Sequence, residues 1–527
     1  MDLSGDLFQR LEQLNDIGAS LSTEHPIDRL LEKILRAAKT ITRADGGTLY
    51  RMNEAADRLE FVIVRNDTLD IAFGGGSARP LPESFQPLPL RGADGHPNNS
   101  MVAVHAALSG KTVNIADAYE AQGYDFSGTR AFDARTGYRS RSFLTVPMKN
   151  HEGVVIAVLQ LINAVDPATG VVGSFSQTDQ SLAESLASQA AVALTNRLLI
   201  EQLEALFEAF IKVINIAIDT KSPYTSGHCQ RVPILTMMLA EAADRETEGP
   251  LAALHLTEKD FYELKIAALL HDCGKITTPV HVVDKATKLE TLFDRIALID
   301  TRFELLRAQA EATQWRRIAE GEDARQARED YAARAASLTE DQAFLRRINI
   351  GAERMQDEDI ARVQAIAERY RWRDGDGVEH PFLNADELEN LSIRGGTLTA
   401  TERKIINDHI VTTLRMLEAL PWPRHLRNVT EYAGGHHERM DGKGYPKGLT
   451  REQMSWQARM MGIADIFEAL TACDRPYKKP MSVSQALKVL ASMRDEGHID
   501  PDLFEVFLRA DIGPRYAAQY LPQSQRV

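Results

Sequence analysis

Three cysteines, Cys229, Cys273 and Cys473, are all that 527 residues contain. That excludes a disulfide framework and a thiolate-rich zinc site, and it fits a reducing compartment. No run approaches the roughly 18 consecutive apolar residues of a membrane span. The N-terminal MDLSGDLFQRLEQLNDIG is acidic and amphipathic, not a basic flank followed by an apolar core, so no signal peptide is expected. Positive charge is also short: the formal net charge is -14 and the pI about 5.6. Nothing general in that field attracts nucleic acid or an anionic membrane, and neither is expected as a partner. A phosphate-ester substrate would have to be drawn in by local metal ions or basic side chains. These absences together point to a cytoplasmic protein.

What is present is an ordinary globular composition, 44% hydrophobic and 26% charged, in a chain long enough for two to four domains. Ile27, Leu30, Leu31, Ile34, Leu35, Ala38 and Ile41 recur at helical spacing. β-rich runs follow at Gly47–Met52, Leu59–Arg65, Thr112–Ile115, Ser142–Pro147 and Val154–Ile162, separated by glycine-rich or polar breaks. The last run is almost wholly apolar and reads as a central strand. Helix, antiparallel sheet and helix make an α+β sensor-type domain.

A long helix should then start at the Ser176/Asp179 capping pair and run to about Asp219. Ala193, Ile200, Leu203, Phe207, Phe210, Ile214 and Ala217 suggest a coiled-coil seam of about three heptads, hence a parallel homodimer; the alternative is one amphipathic helix packed on its own domain. Beyond Lys221 the chain is helical. A charged, alanine-rich stretch, RAQAEATQWRRIAEGEDARQAREDYAARAASL, reads as an inserted helical hairpin with mostly solvated faces. The division expected is an N-terminal helix (1–25), the α+β domain (26–172), a connecting helix (173–220), a first helical part (221–300), the inserted hairpin (301–394) and a second helical part (395–527).

Chemistry concentrates in the helical parts. His271-Asp272 sits in LLHDCGK; neighbours on a helix diverge by about 100°, so both reach one centre only from a helix end or a distorted turn. Lys275, one turn on, would face the same place and could meet a phosphate oxygen. His436-His437 stands behind a Gly-Gly pair in GGHHERMDGKGYPKGL. His228, His409 and Asp465, each on an expected helix, complete five nitrogen and two oxygen donors, enough for two octahedral iron or manganese ions. The three cysteines read as packing residues beside these positions, a redox switch being the alternative. His281 reads as a neighbour or surface group, and His255, His380 and His425 as surface histidines.

LLHDCGK, HHERMDGKGYP and ADIFEALTACDRPYK together closely resemble the HD-GYP branch of the HD phosphohydrolases, over about 205–506 apart from the insertion. The resemblance implies hydrolysis of cyclic di-GMP to the linear dinucleotide or onward to GMP, with diguanylate cyclases as potential partners. It implies His228, His271, Asp272, His409, His436, His437 and Asp465 as metal ligands, Asp272 bridging. It also implies Lys275, Arg475 and Lys478 at the phosphates, and Asp441, Gly442, Gly444, Tyr445 and Pro446 as one wall. Val280 and Glu468 replace aspartates common in the family. Tyr224 stands where some members carry a third-metal carboxylate, which favours two metals. A non-catalytic cyclic-dinucleotide receptor or scaffold, or a phosphodiesterase for cyclic GMP-AMP, are the alternatives.

The first domain, most closely over Gly110–Asn163, resembles the GAF domains of cyclic-nucleotide phosphodiesterases. Phe132, Asp133, Thr136 and Gly137 match their Phe-Asp and TGY element, which implies a small-molecule or cyclic-nucleotide ligand; a purely dimerising GAF domain is the alternative. No cysteine lies in this domain, which excludes thioether attachment of a bilin.

Overall fold

The computed structural model describes residues 3–21, 27–76, 79–222, 227–351, 354–473 and 480–526, the first three as backbone only. Two compact units divide at Phe207/Glu208.

In the first unit, α1 (Leu3–Leu21) and α2 (Ile27–Thr42) precede the strands β1 (Ala44–Met52), β2 (Arg58–Asn66), β3 (Ile71–Gly74) and β4 (Leu88–Pro89). Then come α3 (Val102–Ser109), β5 (Val113–Ile115), α4 (Ser127–Thr136), β6 (Phe143–Lys149), β7 (Val155–Val165) and β8 (Val172–Gly173). The sheet is antiparallel in the order β3-β2-β1-β7-β6-β5. The apolar run expected to be central is β7, flanked by β1 and β6. One sheet face packs on α2, α1 and the start of α5 (Gln177–Lys221) through Leu31, Leu35, Leu159, Leu161, Leu186 and Leu194. The other face meets α3. Neither α3 nor α4 carries a helical stripe: α3 is apolar nearly all round, and in α4 Asp133 alone is buried. Both were therefore illegible to periodicity.

α5 has 45 residues. Leu199, Leu203, Leu206, Phe210 and Val213 are exposed along it, in alternating steps of four and three, with Val192 one heptad earlier. Of the expected seam, Ile200, Leu203, Phe210 and Ala217 are exposed, Phe207 and Ile214 are half-buried, and Ala193 packs on the first unit's core.

In the second unit, α6 (His228–Asp244), α7 (Glu258–Leu270), α8 (Val280–Val283), α13 (Ala400–Asn407), α14 (His409–Glu418), α15 (Val429–Gly434), α16 (Trp456–Thr471), α17 (Val483–Asp495), α18 (Pro501–Arg509) and α19 (Ile512–Tyr520) form a helical body. Between α8 and α13 stands the insertion. Its hairpin is α9 (Ile296–Ala319) with α10 (Ala324–Asn349), followed by α11 (Asp357–Arg369), a ribbon of β9 (Arg371–Arg373) and β10 (Glu379–Pro381), and α12 (Ala385–Leu391). Besides a hairpin whose faces are mostly solvated, the insertion has a separate core. Phe303, Leu345, Val363, Ile366, Tyr370 and Phe382 are buried together, with the Phe303 and Phe382 rings 4.7 Å apart. The apolar residues are spread over four helices and the segments between them. At its base the buried Lys285 Nζ donates to Glu402 Oε2 (2.7 Å) and Asn390 Oδ1 (2.7 Å). This ties the insertion to the helix that leads into His409.

Lys288, fully buried in that module, donates to the Ile393 carbonyl at 2.7 Å and to Met355 Sδ at 2.7 Å. Burial pushes its amine from 10.5 down to about 8. Above pH 8 the folded amine releases its proton while the unfolded chain keeps one until about 10.5. The unfolded state then binds more protons, so stability rises with pH across that window. The unfolding free energy of wild type relative to Lys288→Met should therefore increase by on the order of 2 kcal/mol between pH 7.5 and 9.5, read by urea denaturation. A flat difference contradicts this.

Candidate metal centre

Helix ends place the histidines. An α-helix leaves its last carbonyls without intrahelical partners, and three imidazoles take one each. His271 follows α7 directly, its Nδ1 2.8 Å from the Ala268 carbonyl. His436 comes just after α15, with Nδ1 2.6 Å from the Ala433 carbonyl. His409 stands where α13 passes into α14, with Nδ1 2.5 Å from the Ile406 carbonyl. A carbonyl only accepts, so each Nδ1 carries the hydrogen and each Nε2 keeps its lone pair. The adjacent His271-Asp272 pair occupies the distorted turn that its geometry requires: α7 gives way to a 3-10 turn over Cys273–Thr277. Gly274 lets that turn touch α14. A Cβ there would lie 2.0 Å from the His409 carbonyl oxygen, and the Gly274 amide donates to Thr413 Oγ1 at 2.9 Å.

Asp272 is the centre of the arrangement. Its Oδ2 lies 3.1 Å from His228 Nε2 and 3.2 Å from His271 Nε2, whereas its Oδ1 lies 3.2 Å from His409 Nε2. Asp465 Oδ1, from α16, is 3.1 Å from His228 Nε2, and His437 Nε2 is 3.3 Å from His409 Nε2. Donor atoms of His228, His271 and Asp272 fall within 4.8 Å of one another, as do those of Asp272, His409, His436 and His437. The Nε2 atoms of His228, His271 and His436 and the Oδ1 of Asp272 are buried without a hydrogen bond. Such groups cost about 1–3 kcal/mol each when unsatisfied. Divalent cations fit: the donors are imidazole and carboxylate, they converge, and one carboxylate faces both groups.

Electrostatics agree with that use at Asp272, Asp465, His436 and His437. At His228, by contrast, burial is outweighed by the Glu468, Asp272 and Asp465 carboxylates, which hold the imidazole well above its ordinary value. Burial would raise the Asp272 carboxyl, but Lys275, whose Nζ is 2.6 Å away, and the adjacent imidazoles hold it well below the usual carboxylate range. Asp465 is held low in the same way, chiefly by His228 against burial. Burial and the neighbouring His271 push His436 down to about 4, and burial with His436 pushes His437 well down. Both imidazoles are therefore neutral near pH 7, the form that can ligate.

The structure brings all seven sequence-derived candidates together, across the insertion that separates His271 from His409. Tyr445 stacks on His437, ring centroids 4.8 Å apart, and Asp441 is held by Arg439 at 2.9 Å. Gly442 has φ 75°, and the Tyr445–Pro446 peptide is cis. A Cβ on Gly444 would sit 2.4 Å from the Arg439 nitrogen, so the loop closes only on glycine. Arg475, Lys478 and Tyr224 lie outside the described residues. Val280, His281, His255 and His425 are exposed, whereas His380 stacks on Trp372 in the insertion. Cys229 and Cys273 are buried and Cys473 is exposed. Burial raises both inner thiols, Cys273 to about 11, which disfavours reactive thiolates.

Glu438 escaped the sequence reading, and Glu468 entered it only as the replacement for a common aspartate. Buried Glu438 accepts from the Lys447 and Leu449 amides at 2.7 and 2.9 Å and folds the loop; its place beside His436-His437 was the available signal. Glu468 lies one turn after Asp465 on α16 and contacts His228.

In the first unit a cavity of about 460 Å³ opens between the sheet and the α3–α4 side. Tyr50, Phe61, Phe126, Phe132 and Phe143 line it, with Thr48, Gln160 and Ser127 among the polar groups. Of Phe132, Asp133, Thr136 and Gly137, Phe132 alone lines it. Asp133 is buried, accepting from Tyr119 Oη and from the Ser140 amide and hydroxyl, each at 2.8 Å. Gly137 caps α4 at φ 71°, and exposed Thr136 bonds the Phe132 carbonyl.

Residues 26–194 match the family model described as the GAF domain, and residues 225–370 and 385–503 match two models described as the HD domain. The chain joins a GAF domain to an HD domain. His228, His271 and Asp272 fall in the first HD match, and the other four candidates in the second. A cyclic di-GMP phosphodiesterase of Pseudomonas aeruginosa is 39% identical over 133 residues, 25% of this chain and 29% of that protein. The 3'3'-cGAMP-specific phosphodiesterase 1 of Vibrio cholerae is 41% identical over 133 residues, 25% of this chain and 30% of that protein. The match thus spans under a third of either relative. A solved GAF domain/HD domain protein from Geobacter sulfurreducens aligns with 34% of this chain and 98% of its own at 15% identity, TM-score 0.23. No helix among the described residues is long and apolar enough to cross a membrane.

The close approach at Gly274 makes the HD-domain site sensitive to one methyl group. Gly274→Ala should cost about 1–3 kcal/mol of stability through overpacking and lower bound metal measured by inductively coupled plasma mass spectrometry. Wild-type stability and metal content would contradict the packing described.

Proposed function

We propose that this chain is a metal-dependent phosphodiesterase of the HD-GYP type. It hydrolyses cyclic di-GMP to linear pGpG or onward to GMP, under control of its GAF domain. The observation that carries this reading is Asp272, whose two carboxylate oxygens face separate histidine groups. His228, His271 and Asp465 would hold one ion with Asp272; His409, His436 and His437 would hold the other. Iron or manganese suits this imidazole–carboxylate set better than a thiolate-seeking metal. Two such ions supply an acidified water as nucleophile and positive charge for the phosphorane-like transition state.

The chain's own groups do the rest. Nδ1–H bonds fix the rings so that lone pairs, not hydrogens, face the centre. Lys275, 18% exposed beside Asp272, stands at the rim, where a phosphate oxygen would meet its ammonium. Tyr445, braced against His437, offers an aromatic wall, and Arg475 with Lys478 would take the substrate's phosphates. In a chain of net charge -14 such local cations are what draw in a dinucleotide anion. The cyclic GMP-AMP specificity of the Vibrio cholerae relative keeps that dinucleotide as the second substrate reading.

Control would run through α5. Its exposed heptad stripe supports a parallel homodimer, and its last residue, Lys221, donates to the Lys275 carbonyl at 3.2 Å. A signal reaching that end therefore meets the turn that carries Asp272. The aromatic-lined cavity supports a small planar ligand such as a cyclic nucleotide. Cytosolic location and contact with diguanylate cyclases complete the proposal.

Manganese- or iron-loaded protein, given a panel of cyclic dinucleotides, should hydrolyse cyclic di-GMP and stop on chelation. His271→Ala with Asp272→Ala should leave less than about one-hundredth of the rate, since even outer partners of ligands are worth about 10–100-fold. Turnover in that double variant overturns the reading, as does metal-loaded wild type that hydrolyses no cyclic dinucleotide. Leu203→Glu with Phe210→Glu should convert a dimer to a monomer by light scattering; an unchanged mass contradicts the seam.

A further inference from the structure

The Nδ1 atoms of the centre's histidines are not held alike. His271, His409 and His436 each stand at a helix C-terminal end or junction and use the carbonyl three residues back. His228 is instead the first residue of its helix, after Gly227 at φ 83°. Its Nδ1 lies 2.5 Å from Glu468 Oε2. The other carboxylate oxygen, Oε1, accepts from Arg231 Nε at 2.6 Å. Glu468 is 1% exposed and His228 3%, so solvent does not compete for either contact. Asp465 and Glu468 are three residues apart on α16, which puts both on one face. Asp465 reaches the Nε2 side of His228 and Glu468 the Nδ1 side.

We infer that Glu468 is a positioning residue for the metal centre. It fixes the His228 ring with Nδ1 protonated and Nε2 directed at Asp272 and Asp465, and Arg231 holds the carboxylate in place. A full negative charge behind the ring also strengthens it as a donor relative to the three rings backed by neutral carbonyls. The site is thereby asymmetric: the ion held by His228, His271, Asp272 and Asp465 depends on Glu468, and the ion held by His409, His436 and His437 does not. The inference rests on the metal-site reading above.

The test is metal binding by full-length protein, stripped and titrated with manganese against a chromogenic chelator, beside metal content per chain. Wild type should bind two ions. Glu468→Gln keeps the size, removes the charge and can present an amide hydrogen to Nδ1; it should weaken one of the two binding steps about 10–100-fold and leave the other unchanged. Glu468→Asp, with its shorter arm, should fall between. Arg231→Gln should weaken the same step by a smaller factor. Thermal unfolding of the metal-free proteins separates this from a structural role, which would lower the melting temperature while sparing the stepwise affinities. Two unchanged binding steps in Glu468→Gln overturn the inference and leave the metal-site reading intact. A wild type that binds no metal overturns both.

Discussion

One buried carboxylate organises the helical unit. Asp272 is 1% exposed, in contact with the Lys275 ammonium, and placed so that each oxygen faces different imidazoles. Such a group is tolerable inside a protein only if its charge is met from several sides. α6, α14 and α16 approach the turn after α7 from separate directions, each bringing a nitrogen or oxygen donor. The glycine at 274, the helix ends at His271, His409 and His436, and the loop folded on Glu438 all serve that convergence. A shift at any of them misdirects a lone pair.

The insertion shows how much chain such a site tolerates. The segment between α8 and α13 carries a core of its own, and its two ends are joined by Lys285, Glu402 and Asn390. Because the ends meet, the intervening residues need not disturb the distance between Asp272 and His409. Glu402 also forms the capping box of α13 with Thr399, so the neck of the insertion and the start of the helix leading to His409 share one side chain.

The site was more legible than the architecture around it. The adjacent histidines His436-His437, in their Gly-Gly and Gly-Tyr-Pro context, have few uses other than metal chemistry, whereas His271-Asp272 gained its weight from the set around it. His409 was included for its place on an expected helix and given a ligand role by the resemblance, although no local pattern bridges the insertion. Glu438 was missed, and Glu468 was read only as replacing a common aspartate, because a buried carboxylate looks, in sequence, like any loop or helix acid. The α2 stripe and the β7 run were plain because they bury one face or both. α3, α4 and the insertion's core were not, since a uniformly apolar helix, a polar helix and scattered apolar residues leave no period to read. Along α5 apolar residues occupy more than one face, and only the fold shows that Ala193 is already covered while Ile200, Leu203 and Phe210 are not.

The central claim is that Asp272 spans two metal ions held by separate ligand groups. Anomalous diffraction from crystals grown with manganese tests it directly. The account predicts two peaks, one on each side of the Asp272 carboxylate, the first beside His228, His271 and Asp465 and the second beside His409, His436 and His437. A single peak, or two peaks with Asp272 contacting only one, would contradict it.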